Sequence, residues 1–280
     1  MRVHICGARG STPAPGAAFA RHGGHTSCVA LAHDDRPPAL LLDAGTGIRN
    51  VTPLLAGRPF DGAVLLGHLH WDHVQGLPFF AGGDHPDATV DLYLPDQGDD
   101  AEALLARGFS PPHFAIGPGE LLGRWRFHGL AEGLHRIGGF DVLAREIPHK
   151  GGRTFGYRVS DATATVAYLS DHHPALLGPG PAGFGPYHEA ACALAFGADL
   201  LVHDAQYLPE DWPCRKHYGH STVDYAVGLA EAAAVGRLLL FHHDTGRTDE
   251  QIDEMTAAAR RVSSVPVDAA FEHQIIELGP

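Results

Sequence analysis

The sequence predicts an α+β fold, rich in short strands and with helices mostly at the connections. Three observations carry that prediction. Short apolar runs such as AVLL at 63–66, DLLVH at 199–203 and RLLLF at 237–241 recur with polar or turn residues around them, the mark of buried strands. The windows 221–235 and 248–262 instead repeat their apolar residues at the helical period. Finally, histidines and aspartates follow the apolar runs repeatedly, most densely in GHLHWDHVQG at 67–76, where His68, His70, Asp72 and His73 fall within six positions. Burying several imidazoles and a carboxylate with no cation leaves polar groups that cost a few kcal/mol each when unpaired, so this stretch is read as a metal-ligand cluster delivered at a strand's carboxyl end.

Composition narrows the field. The chain has 280 residues, 44% hydrophobic and 19% charged, an ordinary soluble globular composition with enough length for a substantial core. Neither a fixed-period repeat nor a linker divides it, so one domain over 1–280 is expected. The start MRVHICGARGSTP has too short an apolar run for a secretory signal, and no stretch reaches the roughly 18 apolar residues of a membrane span, which makes a cytoplasmic location the expectation. Cys6, Cys28, Cys192 and Cys214 are scattered without a CxxC pair and are read as free thiols. The net charge of −13 and pI of about 5.8 argue against salt-driven binding to a nucleic acid polymer. A small anionic substrate stays open, because bound cations dominate the field of a cleft. Histidines number 21 against 20 Lys and Arg together, so most cannot be ligands and each needs an argument from position.

Taken in order, RVHIC (2–6) reads as a first strand, followed by a long Gly-, Pro- and Ala-rich loop over 7–27 of the length that usually carries function. SCVALAH (27–33) and ALLLDAG (39–45) read as two strands, and the turn after Asp43 leads into about ten helical residues. Asp43 itself is either a helix cap or a partner orienting a metal-bound histidine. After the histidine cluster come a strand at TVDLYLP (89–95), a helical stretch at GDDAEALLARG (98–108), and GFSPPHFAIGPG (108–119), which is irregular and forms either a lid carrying Phe109, His113 and Phe114 or a surface loop with its aromatics tucked inward. GRWRFHGL, GFDVLAREIP, TFGYRVS and ATVAYLS read as strands between 123 and 170, and in TFGYRVS the alternation of Phe155, Tyr157 and Val159 marks one buried face. HEAACALAFGA (188–198) is a helix. In the 221–235 helix Val223, Ala226, Val227 and Ala230 share a face, with Ser221 and Asp224 as a capping box; in the 248–262 helix Ile252, Met255 and Val262 form the stripe, with acids first and arginines last along the dipole.

Five stretches place a ligand-type residue just after a buried strand: His68 after AVLL, His149 after AREIP, Asp171 after AYLS, His203 and Asp204 after LLV, and His242 and His243 after LLLF. Sites assemble at strand carboxyl ends, so these residues should converge. His68, His70 and His149 would suit one cation, and Asp72, His73 and His242 a second, with Asp171 as the bridge. The ligands are nitrogen and oxygen without thiolate, which fits Zn²⁺, Mn²⁺ or Fe. Two such ions about 3.5–4 Å apart would share a hydroxide and clamp the attacking and leaving oxygens of a displacement.

The motif His68-Leu69-His70-Trp71-Asp72-His73, together with LLDAGTG, HKGGRTFGYR, YLSDH, LLVHDAQY, GHST and LLLFHHD in this order, resembles the metallo-β-lactamase superfamily, and within it the phosphodiesterase branch that includes tRNase Z and the phosphoribosyl cyclic phosphodiesterases. The resemblance spans nearly the whole chain. It implies a four-layer αββα sandwich of two mixed β-sheets flanked by helices, and two divalent ions, zinc first among them. It also implies His149 as the third histidine, Asp171 as the bridging carboxylate, and His242 as the last ligand, with His243 as the competing choice. A proton-donating pair falls on Asp204 and His220, for which there is a chemical reason: attack on phosphorus expels an alkoxide that needs a proton, and a histidine backed by a carboxylate is suited to deliver it. His220 also stands before the helix start at Ser221, whose amides could steady a phosphate oxygen.

The function expected on this basis is a dinuclear metal hydrolase in which a metal-bridged hydroxide, oriented by Asp72, attacks a small phosphodiester such as a cyclic nucleotide or cyclic sugar phosphate. The alternative is a lactone- or β-lactam-type acyl hydrolase on the same site; a noncatalytic metal-binding module and an iron redox enzyme are weaker rivals. The chain lacks a long basic glycine-rich insertion, which with its acidity argues against tRNA maturation. His172, His173 and Pro174 follow Asp171 where a lactonase of this fold would carry a tyrosine. Arg9, Arg21, Lys150 and Arg153 are read as solvated loop charges. The resemblance favours a homodimer.

Overall fold

The structure, a computed structural model, describes residues 1–279. Two seven-stranded sheets divide the chain into an N-terminal and a C-terminal half. The first contains β1 (Arg2–Gly7), β2 (Cys28–Ala32), β3 (Leu40–Leu42), β4 (Asp61–Leu65), β5 (Thr89–Pro95) and β6 (Arg124–Leu130), in that order, with β14 (Ile275–Glu277) from the far end of the chain paired to β1. The second runs β7 (Gly133–Ile137), β8 (Phe140–Glu146), β9 (Phe155–Ser160), β10 (Thr165–Leu169), β11 (Leu200–Asp204), β12 (Leu238–Phe241), β13 (Val267–Ala269). Each sheet is mixed. β3 to β6 are mutually parallel, as are β10 to β13, and the remaining neighbours are antiparallel.

Three apolar layers explain why the central strands read as unbroken hydrophobic runs. Val3, Ile5, Leu31, Leu65, Tyr157 and Phe241 belong to the layer between the sheets. Outside the second sheet, α3 (Glu189–Ala195), α5 (Val223–Ala232) and α6 (Asp249–Val262) press Leu194, Leu229 and Ile252 onto Leu201 and Leu240. Outside the first sheet, the 3₁₀ segment Thr46–Leu55 and α2 (Ala101–Ala106) contribute Ile48, Val51, Leu55 and Leu104 to a cluster with Val64 and Leu92. Strands covered on both faces cannot alternate apolar with polar. The result is the αββα sandwich that the resemblance implies. Two further helices of four residues, α1 (Trp71–Val74) and α4 (Trp212–Arg215), sit in loops at the ligand end of the sheets. Among the described residues, no helix is long and apolar enough to cross a membrane.

Several local expectations are corrected. The ten residues after Gly45 form a 3₁₀ rather than an α-helix, with Pro53 inside. The α5 cap is Thr222, whose hydroxyl accepts from Tyr225 N, while Ser221 gives its hydroxyl to His172 O and its amide to Asp204. The Ser221 amide is therefore committed and does not wait for a phosphate. In α6 the inward stripe is Ile252, Met255 and Ala259; Val262 is 77% exposed. β7, β13 and β14 escaped notice because β7 is a half-exposed edge and the others have only three residues, too few for a period. The 108–119 segment tucks Phe109 into the core and packs Phe114 beside it, matching the surface-loop reading.

Arg9 departs furthest from expectation. It is fully buried, and its guanidinium donates to Gly23 O (2.8 Å), Asp244 O (3.2 Å) and Arg247 O (2.7 Å) and pairs with Asp249 Oδ1 (3.4 Å). One side chain thus ties the long N-terminal loop to the end of β12 and the start of α6. Asp249 also accepts the amides of Arg21 and His22. Removing Arg9 leaves a buried carboxylate without its counter-charge and three carbonyls without a donor, so Arg9→Ala is expected to lower unfolding stability by about 3–5 kcal/mol, measured as a shift in urea midpoint at unchanged m-value.

Candidate metal centre

The ligand-type residues converge because β3, β4, β10, β11 and β12 all end at one edge of the sandwich. β4 stops at Leu65, the chain turns at Gly67, and α1 starts at Trp71, so His70, Asp72 and His73 are delivered by a turn and a single helical turn. From the second sheet, β10 delivers Asp171 and β12 delivers His242. The groups His68, His70, His149, Asp171 and Asp72, His73, Asp171, His242 each have ligand atoms within 4.8 Å of one another.

Asp171 belongs to both groups and faces each with a different oxygen. Its Oδ1 lies 3.0 Å from His73 Nε2 and 3.1 Å from His242 Nε2, whereas its Oδ2 lies 3.5 Å from His149 Nε2 and 3.7 Å from His68 Nε2. Asp72 Oδ2 completes the second group at 3.1 Å from His242 Nε2 and 3.3 Å from His73 Nε2. His243 turns the other way and bonds Ala270 O, which excludes it from the cluster. Both ring nitrogens of His68, Nε2 of His73 and Oδ1 of Asp171 are buried without a hydrogen-bond partner. Such orphans are rare in a folded interior and fit a site built around cations.

Charge agrees with that fit. Burial, aided by His73, pushes His68 well below its ordinary pKa, and burial takes His149 down to about 4 against the pull of Asp171, so these rings are neutral donors. The other half behaves oppositely: burial opposes protonation of His73 and His242, but the Asp171 and Asp72 carboxylates overcome it, raising His73 well above normal and His242 to about 9. Both aspartates are held well below the carboxylate range; burial opposes this, and His73 and His242 outweigh it. The two carboxylates thus favour positive charge in this half of the cluster, the charge that a cation would supply.

A surrounding layer orients the rings. Asp43 Oδ2 lies 2.7 Å from His73 Nδ1, so Asp43 is the orienting partner and not a helix cap. His149 Nδ1 donates to Gly219 O (2.7 Å), and His242 Nδ1 donates to Gln206 Oε1 (2.9 Å), leaving Nε2 for the cluster in each ring. Gly10 has no room for a side chain, since a Cβ there would lie 2.3 Å from His242 Nδ1, and Gly151 at φ +89° passes His70 in the same way. His242 itself sits at φ +57°, uncommon for a residue with a side chain. Sequence reading missed Gln206, although it stands two residues beyond Asp204 in DAQY.

His220 and Asp204 meet beside the cluster, with His220 Nδ1 3.1 Å from Asp204 Oδ2 and the His220 ring stacked on His242 at 4.9 Å. Asp204 also accepts amides from His172, Gln206 and Ser221. Behind it runs a chain of imidazoles. His203 Nδ1 lies 2.7 Å from Asp204 O and must donate there, so His203 Nε2 accepts from His172 Nδ1 (3.0 Å) and His172 Nε2 accepts from His188 Nε2 (2.7 Å). A backbone carbonyl thereby fixes three tautomers. This accounts for three of the 21 histidines that no metal needs.

The cluster forms the floor of a cavity of about 690 Å³ whose wall includes Asp72, Asp171 and His220, with Arg215 and Tyr218 at the rim. Arg215, not singled out from the sequence, is the cation of this wall; it pairs with Asp244 and lies over the Tyr207 ring. The four cations expected on loops do not line it. Arg9 is buried, Arg21 pairs with Asp253, Lys150 donates to His217 O, and Arg153 pairs with Glu146.

Because Gln206 fixes the His242 ring without touching the other group, Gln206→Ala is expected to weaken retention of one metal equivalent by about 10–100-fold and leave the second unchanged. Metal content after graded chelator dialysis checks this; equal loss of both equivalents would contradict it.

Comparison with known proteins agrees with this geometry. The model of the β-lactamase superfamily domain matches residues 39–243. Ribonuclease Z of Lacticaseibacillus casei (strain BL23) is 30% identical over 268 residues, covering 82% of each chain. Among solved structures, the metallo-β-lactamase fold protein YhfI of Bacillus subtilis superimposes with a TM-score of 0.71 over 98% of both chains at 19% identity. A diphosphatase of the PhnP family gives 0.68 over 99% of this chain and 97% of its own at 20% identity. With its αββα layers, its paired His/Asp groups at the strand ends and these relatives, the chain belongs to the metallo-β-lactamase superfamily, in the branch of ribonuclease Z, and is a metal-dependent hydrolase.

Proposed function

We propose that the protein hydrolyses a small phosphodiester, such as a cyclic nucleotide or cyclic sugar phosphate, and that it does so with two divalent ions, zinc first among them. His68, His70 and His149 would hold one ion, Asp72, His73 and His242 the other, and Asp171 both. When bound, such ions supply Lewis-acid stabilisation of a phosphoryl oxygen and a nucleophile from water at neutral pH. The rest falls to the chain's own residues. Asp72, whose Oδ2 accepts the Ser11 amide at 2.7 Å, faces the cavity and orients the attacking water as a proton acceptor. His220 uses Nδ1 on Asp204, which leaves Nε2 to carry the proton that the departing alkoxide takes up. Arg215, paired with Asp244 at the rim, offers its remaining guanidinium donors to one phosphate group.

The observation that carries this reading is the Asp204–His220 pair on the wall of the cluster's own cavity. An acyl hydrolase expelling a lactone oxygen or a β-lactam nitrogen would use the same proton. The pair therefore supports an alkoxide-type leaving group, and the preference for phosphorus over carbon is supported by the 30% identity to ribonuclease Z. A second reading, a ribonuclease, is favoured by the 30% identity to ribonuclease Z. Against it stand the net charge of −13 and a rim that pairs its one arginine with an aspartate, because a polyanion draws affinity from many basic contacts. A small substrate also fits a cavity of about 690 Å³. A cytoplasmic homodimer acting on small anions remains part of the proposal.

Two measurements test it. The protein as purified should carry two metal equivalents and hydrolyse bis-p-nitrophenyl phosphate and a cyclic nucleotide faster than a lactone or a precursor tRNA; inactivity on every diester with both equivalents present would refute the reading. His220→Ala should lower kcat by about 10²–10⁴-fold on an alkyl diester, but far less on a p-nitrophenyl diester, whose leaving group needs no proton.

A further inference from the structure

A second cavity of about 380 Å³ adjoins the first and shares Leu69 and Trp71 with it. Trp71 therefore stands on the divide between them. It opens α1, the single turn that sends Asp72 and His73 inward, and its own indole is 75% exposed, more than either of the other two tryptophans. A single exposed apolar side chain is ordinary on a protein surface; what sets Trp71 apart is that it lines both cavities, one of them floored by the cluster.

The second cavity has a distinct character. Val74, Leu104 and Leu105 give it an apolar floor. Gln97 holds one wall rigid by exchanging two hydrogen bonds with the Arg153 backbone, at 3.1 and 3.0 Å. At the mouth, the Asp99–Arg107 pair offers an acceptor and donors together. A flat aromatic wall, an apolar floor and a mixed polar edge match a nucleobase, which stacks by its face and hydrogen-bonds by its rim. A base-free sugar phosphate offers no π-face to such a wall.

We propose that Trp71 is the stacking platform for a nucleobase that enters the second cavity while the scissile phosphate lies over the Asp171 cluster, so that the substrate is a nucleotide rather than a base-free sugar phosphate. This rests on the phosphodiester reading above for its catalytic part, though not for base binding. The base can come from a mononucleotide or from the end of an RNA chain, and the test separates the two.

Kinetics of the metal-loaded protein are compared for 2′,3′-cyclic AMP, a methyl riboside 2′,3′-cyclic phosphate and a short oligoribonucleotide. Trp71→Ala should lower kcat/KM on cyclic AMP by about 10-fold or more, through KM, and leave the base-free diester within about twofold, with Trp71→Phe retaining most of the activity. Equal losses on both diesters would overturn the proposal and make Trp71 a support for its histidine neighbours. A Trp71 dependence found on the oligoribonucleotide and absent from cyclic AMP would overturn the mononucleotide source while keeping the base platform. Binding is read independently of turnover: AMP should quench tryptophan fluorescence saturably in the parent and not in Trp71→Phe, which keeps Trp125 and Trp212. Quenching that persists in Trp71→Phe, or is absent from the parent, sinks the base site. Quenching without hydrolysis of any diester instead sinks the phosphodiester reading and leaves the base site standing.

Discussion

The Asp43 carboxylate joins the two sheets at the edge where the chemistry is assembled. It is fully buried just beyond β3, at φ +62°, a conformation that aspartate tolerates better than most residues. From its own sheet it accepts Gly67 N at 2.6 Å and His73 Nδ1 at 2.7 Å; from the other it accepts Tyr168 OH at 2.7 Å and Ser170 Oγ at 3.1 Å. Hydrogen bonds to a charged group contribute roughly 1.5–3 kcal/mol each, and a buried carboxylate without them would cost several. The same atoms that offset its burial fix the turn after β4, the orientation of one ring of the cluster and the approach of β10. Cross-sheet packing and metal-site geometry are one constraint here.

Asp171 divides what Asp43 brings together. Each of its oxygens faces a different set of imidazoles, so one short side chain from the second sheet serves two groups supplied chiefly by the first. The electrostatics differ across it: neutral rings on the His68 and His149 side, protonated rings balancing two carboxylates on the His73 and His242 side. The wall of the cavity comes from segments without regular structure or with one helical turn, which carry Trp71, Arg215, Tyr218 and His220.

Much of this was legible in the sequence because the ligands sit where period and chemistry coincide. Apolar runs of four or five residues ended at His68, Asp171 and His242, and strand ends in open sheets converge, so the two groups could be written down before any coordinates. Asp43 was legible only as an alternative between cap and partner, since the deciding contact with His73 lies 30 positions away. Gln206, Arg215 and the buried role of Arg9 were not legible. Each works through residues distant in the chain, and nothing local distinguishes an arginine that pins a loop from one that is solvated.

By itself, then, the sequence determined most of the strand runs, the two amphipathic helices near the end of the chain and the residues that gather as ligands, with His242 and His243 left as alternatives. Those follow from hydrophobic period and from the cost of burying polar groups without a cation; the αββα class was implied by the resemblance of its motifs to a family. Tertiary structure alone decided which oxygen of Asp171 faces which ring, that His242 and not His243 turns inward, that the Ser221 amide is committed to Asp204, and that Trp71 stands between two cavities. These depend on the angle at which two sheets meet and on which backbone carbonyl a ring nitrogen finds, and such quantities have no period along a chain.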